Sequence, residues 1–190
     1  MSPPRVTERA QALARETLRA GDVALDGTAG KGRDTACLAQ AVGPAGHVHA
    51  FDIQPAALDA TRALCLREGL LERVTLHLRS HAEIDEALPA EHLGSLGVAI
   101  FNLGYLPGGD QAVITRPDST AVALRAAHAA LRPGGRLICV AYPGHPGGDT
   151  EAGIVRAFGR ERALAGDAVA MDAEEAGGGR PWILCVTKAE

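Results

Sequence analysis

Five short segments carry residues suited to chemistry. The first is Asp26-Gly27-Thr28-Ala29-Gly30-Lys31-Gly32, an acid followed by glycines four and six positions on. Glycine lets backbone approach a ligand closely and adopts positive φ without steric cost. The spacing differs from the G-x-G-x-x-G dinucleotide fingerprint. The second segment holds Asp52, twenty residues after Gly32, with Gln54 beside it. A carboxylate there can accept hydrogen bonds from both hydroxyls of a ribose; its structural alternative is a cap for a helix starting at Pro55. The third is Ser80-His81, which by itself reads as a loop cap. The fourth is Asn102-Leu103-Gly104-Tyr105-Leu106-Pro107-Gly108-Gly109-Asp110. Two apolar residues beside an amide and a phenol are unusual for a mere connector, although a structural turn would also account for them. The fifth is Tyr142-Pro143-Gly144-His145-Pro146-Gly147-Gly148. His145 could accept a proton or touch a phosphate, or simply sit exposed between prolines. Asp110 and Asp149 read as turn residues.

Each segment follows a predicted strand. Apolar spacing predicts a helix over Arg5 to Arg19 and a short strand at Val23-Ala24-Leu25. A helix is expected over Gly32 to Val42, a strand over His47 to Phe51, and a helix from Pro55 through Glu68. Val74 to Leu78 alternates as a third strand, and a weak helix or loop covers Ala82 to Leu93. Gly97 to Phe101 is the fourth strand. Asp118-Ser119-Thr120 should cap a helix running to Leu131, closed by Pro133-Gly134-Gly135, before a fifth strand at Arg136 to Ala141. Glu151 to Arg162 is helical. A hairpin of Ala168 to Met171 and Trp182 to Thr187 turns at Gly177-Gly178-Gly179. Strands alternating with helices predict an α/β fold, a mostly parallel sheet covered on both faces, with ligands beyond the carboxyl ends of its strands.

The chain has 190 residues, 46% hydrophobic and 22% charged, as expected of one globular domain over 1–190 with its first helix within 1–20. Apolar runs are only strand-sized, and Met1 to Arg9 lacks a signal-peptide core, so a cytoplasmic protein without membrane contact is expected. Nineteen Lys plus Arg against 23 Asp plus Glu leave a net charge of −4, which argues against a large basic face for nucleic acid. Arg5, Arg9, Arg15 and Arg19 form two i,i+4 pairs on the first helix, a solvated face by default and a phosphate-contacting strip as the alternative. Cys37, Cys65, Cys139 and Cys185 lie in apolar contexts without a C-x-x-C pair; they read as buried reduced thiols, and no metal site is expected.

The Asp26–Gly32 loop resembles the S-adenosylmethionine loop of class I methyltransferases, with Thr28 in place of its first glycine. The Asn102 segment resembles the Asn-Pro-Pro-Tyr type motif of amino-group methyltransferases. The strings D-G-T-A-G-K-G-R-D-T, F-D-I-Q, R-S-H, N-L-G-Y-L-P-G-G-D, I-T-R-P-D-S-T and Y-P-G-H-P-G-G are together similar to the bacterial tRNA (5-aminomethyl-2-thiouridine) methyltransferases, formerly grouped as rRNA methylases. The similarity runs from about Val23 to Thr187. It implies a Rossmann-like class I fold, with a seven-stranded, mostly parallel sheet and a C-terminal antiparallel hairpin. It also implies S-adenosylmethionine contacts at Asp26, Gly30, Lys31, Gly32, Arg33, Asp52, Gln54, Ser80, His81 and Asn102. The substrate side falls to Asn102, Tyr105 and His145. Lys31 and Arg33 depart from the family, where Asn and His are usual.

The implied reaction converts the 5-aminomethyl group of the wobble uridine to 5-methylaminomethyl, with a tRNA anticodon stem-loop as partner. One small acidic domain offers little surface for that partner, which makes a homodimer plausible. Aromatic residues are only 3%, so base stacking falls to Tyr105, Tyr142 or Trp182, the last reading better as core. Alternatives are a methyltransferase for rRNA or a small-molecule amine, a nicotinamide-dependent oxidoreductase, and a non-catalytic S-adenosylmethionine-binding module.

Overall fold

The computed structural model describes residues 4–104, 115–144, 147–172 and 179–190. In chain order the elements are α1 (Val6–Thr17), β1 (Val23–Asp26), α2 (Arg33–Val42), β2 (His47–Asp52), α3 (Pro55–Arg67), β3 (Val74–Leu78), α4 (Ile84–Ala87), β4 (Leu96–Asn102), α5 (Pro117–Ala130), β5 (Leu131–Ala141), α6 (Gly148–Leu164), β6 (Ala168–Met171) and β7 (Trp182–Thr187). The strands form one sheet in the order β3-β2-β1-β4-β5-β7-β6. The first five pair parallel, and β7 runs antiparallel to both β5 and β6.

Alternation along the strands divides the core in two. Ala24, Val98, Ile100, Ile138 and Val140 pack on the face covered by α1, α2 and α3. Leu25, Ala99, Phe101, Leu137 and Cys139 pack on the opposite face, under α5 and α6. Period-2 side-chain direction causes this, and burial on both faces explains the continuous apolar run of β4. Ala10 and Ala14 are the buried residues of α1; their small side chains let that helix lie close to the sheet.

Three expectations need correction. Asp118-Ser119-Thr120 does not cap α5: Arg116 is the cap residue and Pro117 opens the helix, where its fixed φ and missing N–H cost nothing. The fifth strand begins at Leu131 rather than Arg136. Leu131 pairs with Leu96, Arg136 with Val98, and residues 132–135 bulge out between them. The bulge is tied to the C-terminus, since Gly134 N donates to Lys188 O (3.0 Å) and Lys188 N to Gly135 O (2.9 Å). Finally, Cys37 is half-exposed, with Arg15 Nη1 3.1 Å from its sulfur, whereas Cys65, Cys139 and Cys185 are buried. All four are free thiols.

The arginines of the first helix do not make one strip. Arg9 pairs with Asp172 of the hairpin at 2.5 Å, while Arg15 turns toward α2. Trp182 is fully buried in the core. No described helix is long and apolar enough to cross a membrane.

Candidate functional site

The chain leaves β1 toward β2 and β3 on one side, and places β4 on the other. The order therefore switches between β1 and β4, where open α/β sheets form a ligand crevice. Asp26, Asp52 and Asn102 end β1, β2 and β4 respectively, and Ser80 follows β3.

The glycine loop is suspended over this switch by its own backbone. Gly27 N donates to Ile100 O and Ala29 N to Phe51 O, both at 2.9 Å, so the loop bridges β4 and β2. A side chain at Gly27 would put Cβ 2.1 Å from Phe101 Cε1. Gly30 and Gly32 take positive φ of 53° and 78°. At Gly32 a Cβ would also meet Thr61 Cα at 2.7 Å.

Asp26 is fully buried beneath the loop. One carboxylate oxygen accepts Thr28 N at 3.0 Å and the other Thr35 Oγ1 at 2.6 Å. Burial, followed by the nearby Asp34 charge, pushes its carboxyl up to about 7. Asp52 accepts Gly30 N on one oxygen and Gln54 N on the other, both at 2.9 Å. It thus joins the loop to the start of α3, where Gln54 is the cap residue. Each of its oxygens keeps a further lone pair.

Ser80 caps the turn after β3, and His81 reaches from it to the glycine loop. Ser80 Oγ accepts Ala82 N (3.1 Å), and Ser80 N donates to Glu83 Oε1 (3.2 Å), a capping box. His81, 8% exposed, stands with Nδ1 3.2 Å from Gly27 O and Nε2 3.3 Å from Ser119 Oγ. A carbonyl only accepts, so Nδ1 carries the proton. Burial pushes the imidazole pKa down.

Asn102 is held at two points, and the second is itself braced by α1. Its backbone N donates to Thr28 Oγ1 at 2.7 Å, so Thr28 does a job that glycine could not. Its Nδ2 donates to Asp34 Oδ2 at 2.5 Å, and Gln11 Nε2 of α1 donates to Asp34 Oδ1 at 2.7 Å. Burial raises the Asp34 carboxyl above its ordinary value. Asn102 Oδ1 is buried and has no hydrogen-bond partner among the described residues. An orphaned acceptor costs about 1–3 kcal/mol and calls for an explanation. An N–H donor arriving in the crevice would supply the missing bond.

The segment after Asn102 is closed at its base. Gly104 N donates to Thr115 Oγ1 (2.8 Å) and Thr115 N to Gly104 O (3.0 Å). Thr115 Oγ1 and Thr120 Oγ1 donate to the two oxygens of Glu151, at 2.7 and 2.5 Å. Tyr105 lies between those ends, outside the described residues, as does His145. Tyr142 is half-buried, its hydroxyl pKa raised by burial and then by Asp34.

Lys31 and Arg33 are exposed and line a different concavity, a groove of about 600 Å³ whose walls also come from α1 and α3. Among the described residues no group of three or more His, Cys, Asp or Glu is arranged to hold a metal. Asp34, Gln11, Thr115 and Glu151 escaped the sequence reading. Only Asp34 carried a signal, as an acid in the first turn of the helix behind the glycine loop.

Residues 48–169, over half of the chain, match the family described as "Putative rRNA methylase". An Arabidopsis thaliana protein named tRNA (mnm(5)s(2)U34)-methyltransferase, chloroplastic, is 37% identical over 163 residues, which are 82% of this chain and 59% of that protein. The chain thus spans somewhat over half of that relative's length. A "putative rRNA-methylase" structure from Clostridium thermocellum superposes with a TM-score of 0.87 at 31% identity, covering 99% of this chain and 100% of that one. A "putative methyltransferase" from Streptococcus mutans, solved with SAH, gives 0.84 at 30% identity, covering 98% and 99%. With the seven-stranded sheet and the switch-point loop, these similarities identify the chain as a member of this family of class I S-adenosylmethionine-dependent methyltransferases.

Proposed function

We propose that the protein methylates the primary amine of 5-aminomethyl(-2-thio)uridine at the tRNA wobble position, using S-adenosylmethionine. The observation carrying this reading is the Asn102 amide, anchored through Nδ2 by Asp34 and offering at the switch point a buried Oδ1 with no partner among the described residues. The name of the Arabidopsis relative supports the choice of substrate.

The residues present fit the cofactor. Gly30 and Gly32 keep side chains away from the crevice, Asp52 has spare lone pairs for ribose hydroxyls, and the Gln54 side chain caps nothing. Asp26 and His81 also brace this cradle, through Thr28, Thr35 and the Gly27 carbonyl, and with Ser80 they complete the set of residues that would hold the cofactor. When bound, S-adenosylmethionine supplies a sulfonium methyl group open to in-line displacement.

The protein's part is alignment and protonation state. Asn102 Oδ1 accepts one amine N–H and so directs the nitrogen lone pair. Fixing that geometry can contribute about 7–11 kcal/mol. The amine must be neutral to attack, and a desolvated crevice disfavours its ammonium form. Tyr105 packs on the uracil ring, and His145 receives a proton or a phosphate. The wobble base lies in a single-stranded loop, so little duplex must open. A cytoplasmic homodimer completes this reading.

Purified protein, labelled cofactor and tRNA carrying 5-aminomethyluridine test it by nucleoside mass spectrometry. A gain of one methyl on that nucleoside is expected. Label found only in rRNA or a free amine would overturn the substrate assignment. Asn102→Ala should abolish turnover and leave cofactor affinity intact in calorimetry.

A further inference from the structure

Four cations line the groove on the outer surface of α1, α2 and α3: Arg15, Lys31, Arg33 and Arg67. Glu68 is the single carboxylate among the lining residues, and it already accepts Gln40 Nε2 at 3.0 Å and lies 3.6 Å from Arg67. Among the described residues no carboxylate lies within 4.0 Å of Arg15, Lys31 or Arg33 side-chain nitrogens. A local excess of positive charge therefore stands on a chain whose net charge is −4. Unpaired clustered cations repel one another, and a polyanion relieves that repulsion.

The lining tells which part of a polyanion fits. Ala36, Ala60 and Ala63 contribute small side chains, and the described lining residues include no aromatic ring for a base to stack on. Such a surface suits a sugar-phosphate backbone, which orients a nucleic acid without reading its sequence. The groove also connects with the candidate site. Gln11 is one of its walls and donates to Asp34, which in turn holds Asn102. Lys31 and Arg33 flank Gly32 at the crevice end. From there α2, at about 1.5 Å per residue, gives a track of about 15 Å toward Arg67.

We infer that this groove holds the RNA phosphate backbone beside the reacting nucleotide, with Arg15, Lys31, Arg33 and Arg67 as its phosphate contacts. The inference rests on the RNA-substrate reading above and locates the RNA on that surface. It also gives Lys31 and Arg33, cationic where the family usually has Asn and His, a role outside the cofactor cradle.

The test uses Arg15→Glu/Arg67→Glu, which leaves the cofactor loop untouched. Binding to a fluorescent anticodon stem-loop RNA is followed by anisotropy over a salt series, and cofactor affinity by calorimetry. The variant should bind RNA at least tenfold more weakly, and its slope of log K against log salt should fall by about 1.4–1.8, the equivalent of two phosphate contacts. Cofactor affinity should stay within twofold. The same charge change on the opposite face, Arg125→Glu/Arg160→Glu, should cost much less. Unchanged RNA affinity and slope would overturn the groove, as would an equal loss from the opposite-face variant or a wild-type protein that binds no RNA. A wild-type protein that binds RNA through Arg15 and Arg67 but leaves the wobble uridine unmethylated would refute the proposed function alone. Methylation that persists with RNA binding indifferent to the groove would refute the groove alone.

Discussion

Replacing Asp34 should release the Asn102 amide and lower turnover without disturbing cofactor binding. A carboxylate can only accept, and Asp34 accepts from both Asn102 Nδ2 and Gln11 Nε2. While Asp34 is ionised, the Asn102 amide is therefore locked with Oδ1 toward the crevice. Hydrogen bonds to charged groups contribute about 1.5–3 kcal/mol, and neutral ones about 0.5–1.5 kcal/mol. At 1.36 kcal/mol per decade, Asp34→Ala should cost about 10- to 150-fold in kcat. Asp34→Asn retains a neutral acceptor but permits the flipped amide, so it should lose the difference of about 1–1.5 kcal/mol, or about 5- to 13-fold. Neither side chain reaches the loop glycines, so cofactor affinity should hold. Stability should fall by about 1–3 kcal/mol in Asp34→Ala, because the Asn102 Nδ2 donor loses its partner, partly offset by relief of the Asp34 charge beside Asp26. The pH profile separates positioning from simple packing. Protonated Asp34 would donate and turn the amide around, so the acid limb of wild-type kcat should combine Asp34 with the substrate amine. In Asp34→Asn the amine alone remains, and the limb should lose one unit of slope. Stopped-time assays with labelled cofactor, run from pH 9 down through the whole acid limb, read this directly. Wild-type kcat in Asp34→Ala, or a parallel loss of cofactor affinity, would refute the positioning argument.

Gly27→Ala places a methyl group against the buried Phe101 ring, and such overpacking costs about 1–3 kcal/mol. Its melting temperature and cofactor affinity should both fall, whereas Gly21→Ala, with φ +89° but open space around it, should lose only stability. Acid should destabilise the fold through a histidine cluster: His49 bonds His77 at 3.0 Å and His92 at 2.8 Å, and burial, then His47, drives His49 down to about 3. Burial also lowers His47, His77, His81 and His128, so the unfolded chain takes up more protons. Their stability is present above about pH 6.5 and is lost below it, at about 1.4 kcal/mol per pH unit per unmatched proton. Asp26, raised to about 7, opposes this with one proton held in the folded state, so denaturant midpoints should still fall from pH 6.5 to 5 and fall less steeply in His49→Gln. Trp182 is fully buried, has no partner for Nε1 among the described residues, and has Arg156 4.9 Å from its ring centroid. Trp182→Phe should cost about 1 kcal/mol or less, because loss of the orphaned N–H offsets the smaller ring, and Trp182→Ala about 3–5 kcal/mol, both read by chemical denaturation.

Local rules account for the parts of the site that one segment of chain determines. The Gly30 and Gly32 turn, Asp52 at the end of β2 and Asn102 at the end of β4 follow from residue type and strand period alone. The helix start at Pro117 and the strand start at Leu131 differ from what the local signals predict. There, local cap preferences yielded to a proline and to pairing with Leu96. What the tertiary structure decided are the partners. Asp34 meets Asn102 across 68 positions and Gln11 across 23, because the strand order sets α1, α2 and β4 side by side. Glu151 closes the Asn102 segment only because α6 returns beneath α5. Lys31 and Arg33, adjacent in sequence to the cofactor loop, are carried by the turn of α2 into a groove with Arg15 and Arg67. Hydrogen-bond reach is about 3 Å and takes no account of sequence separation, so residue types and spacings mark where a site begins, and sheet order determines which side chains complete it.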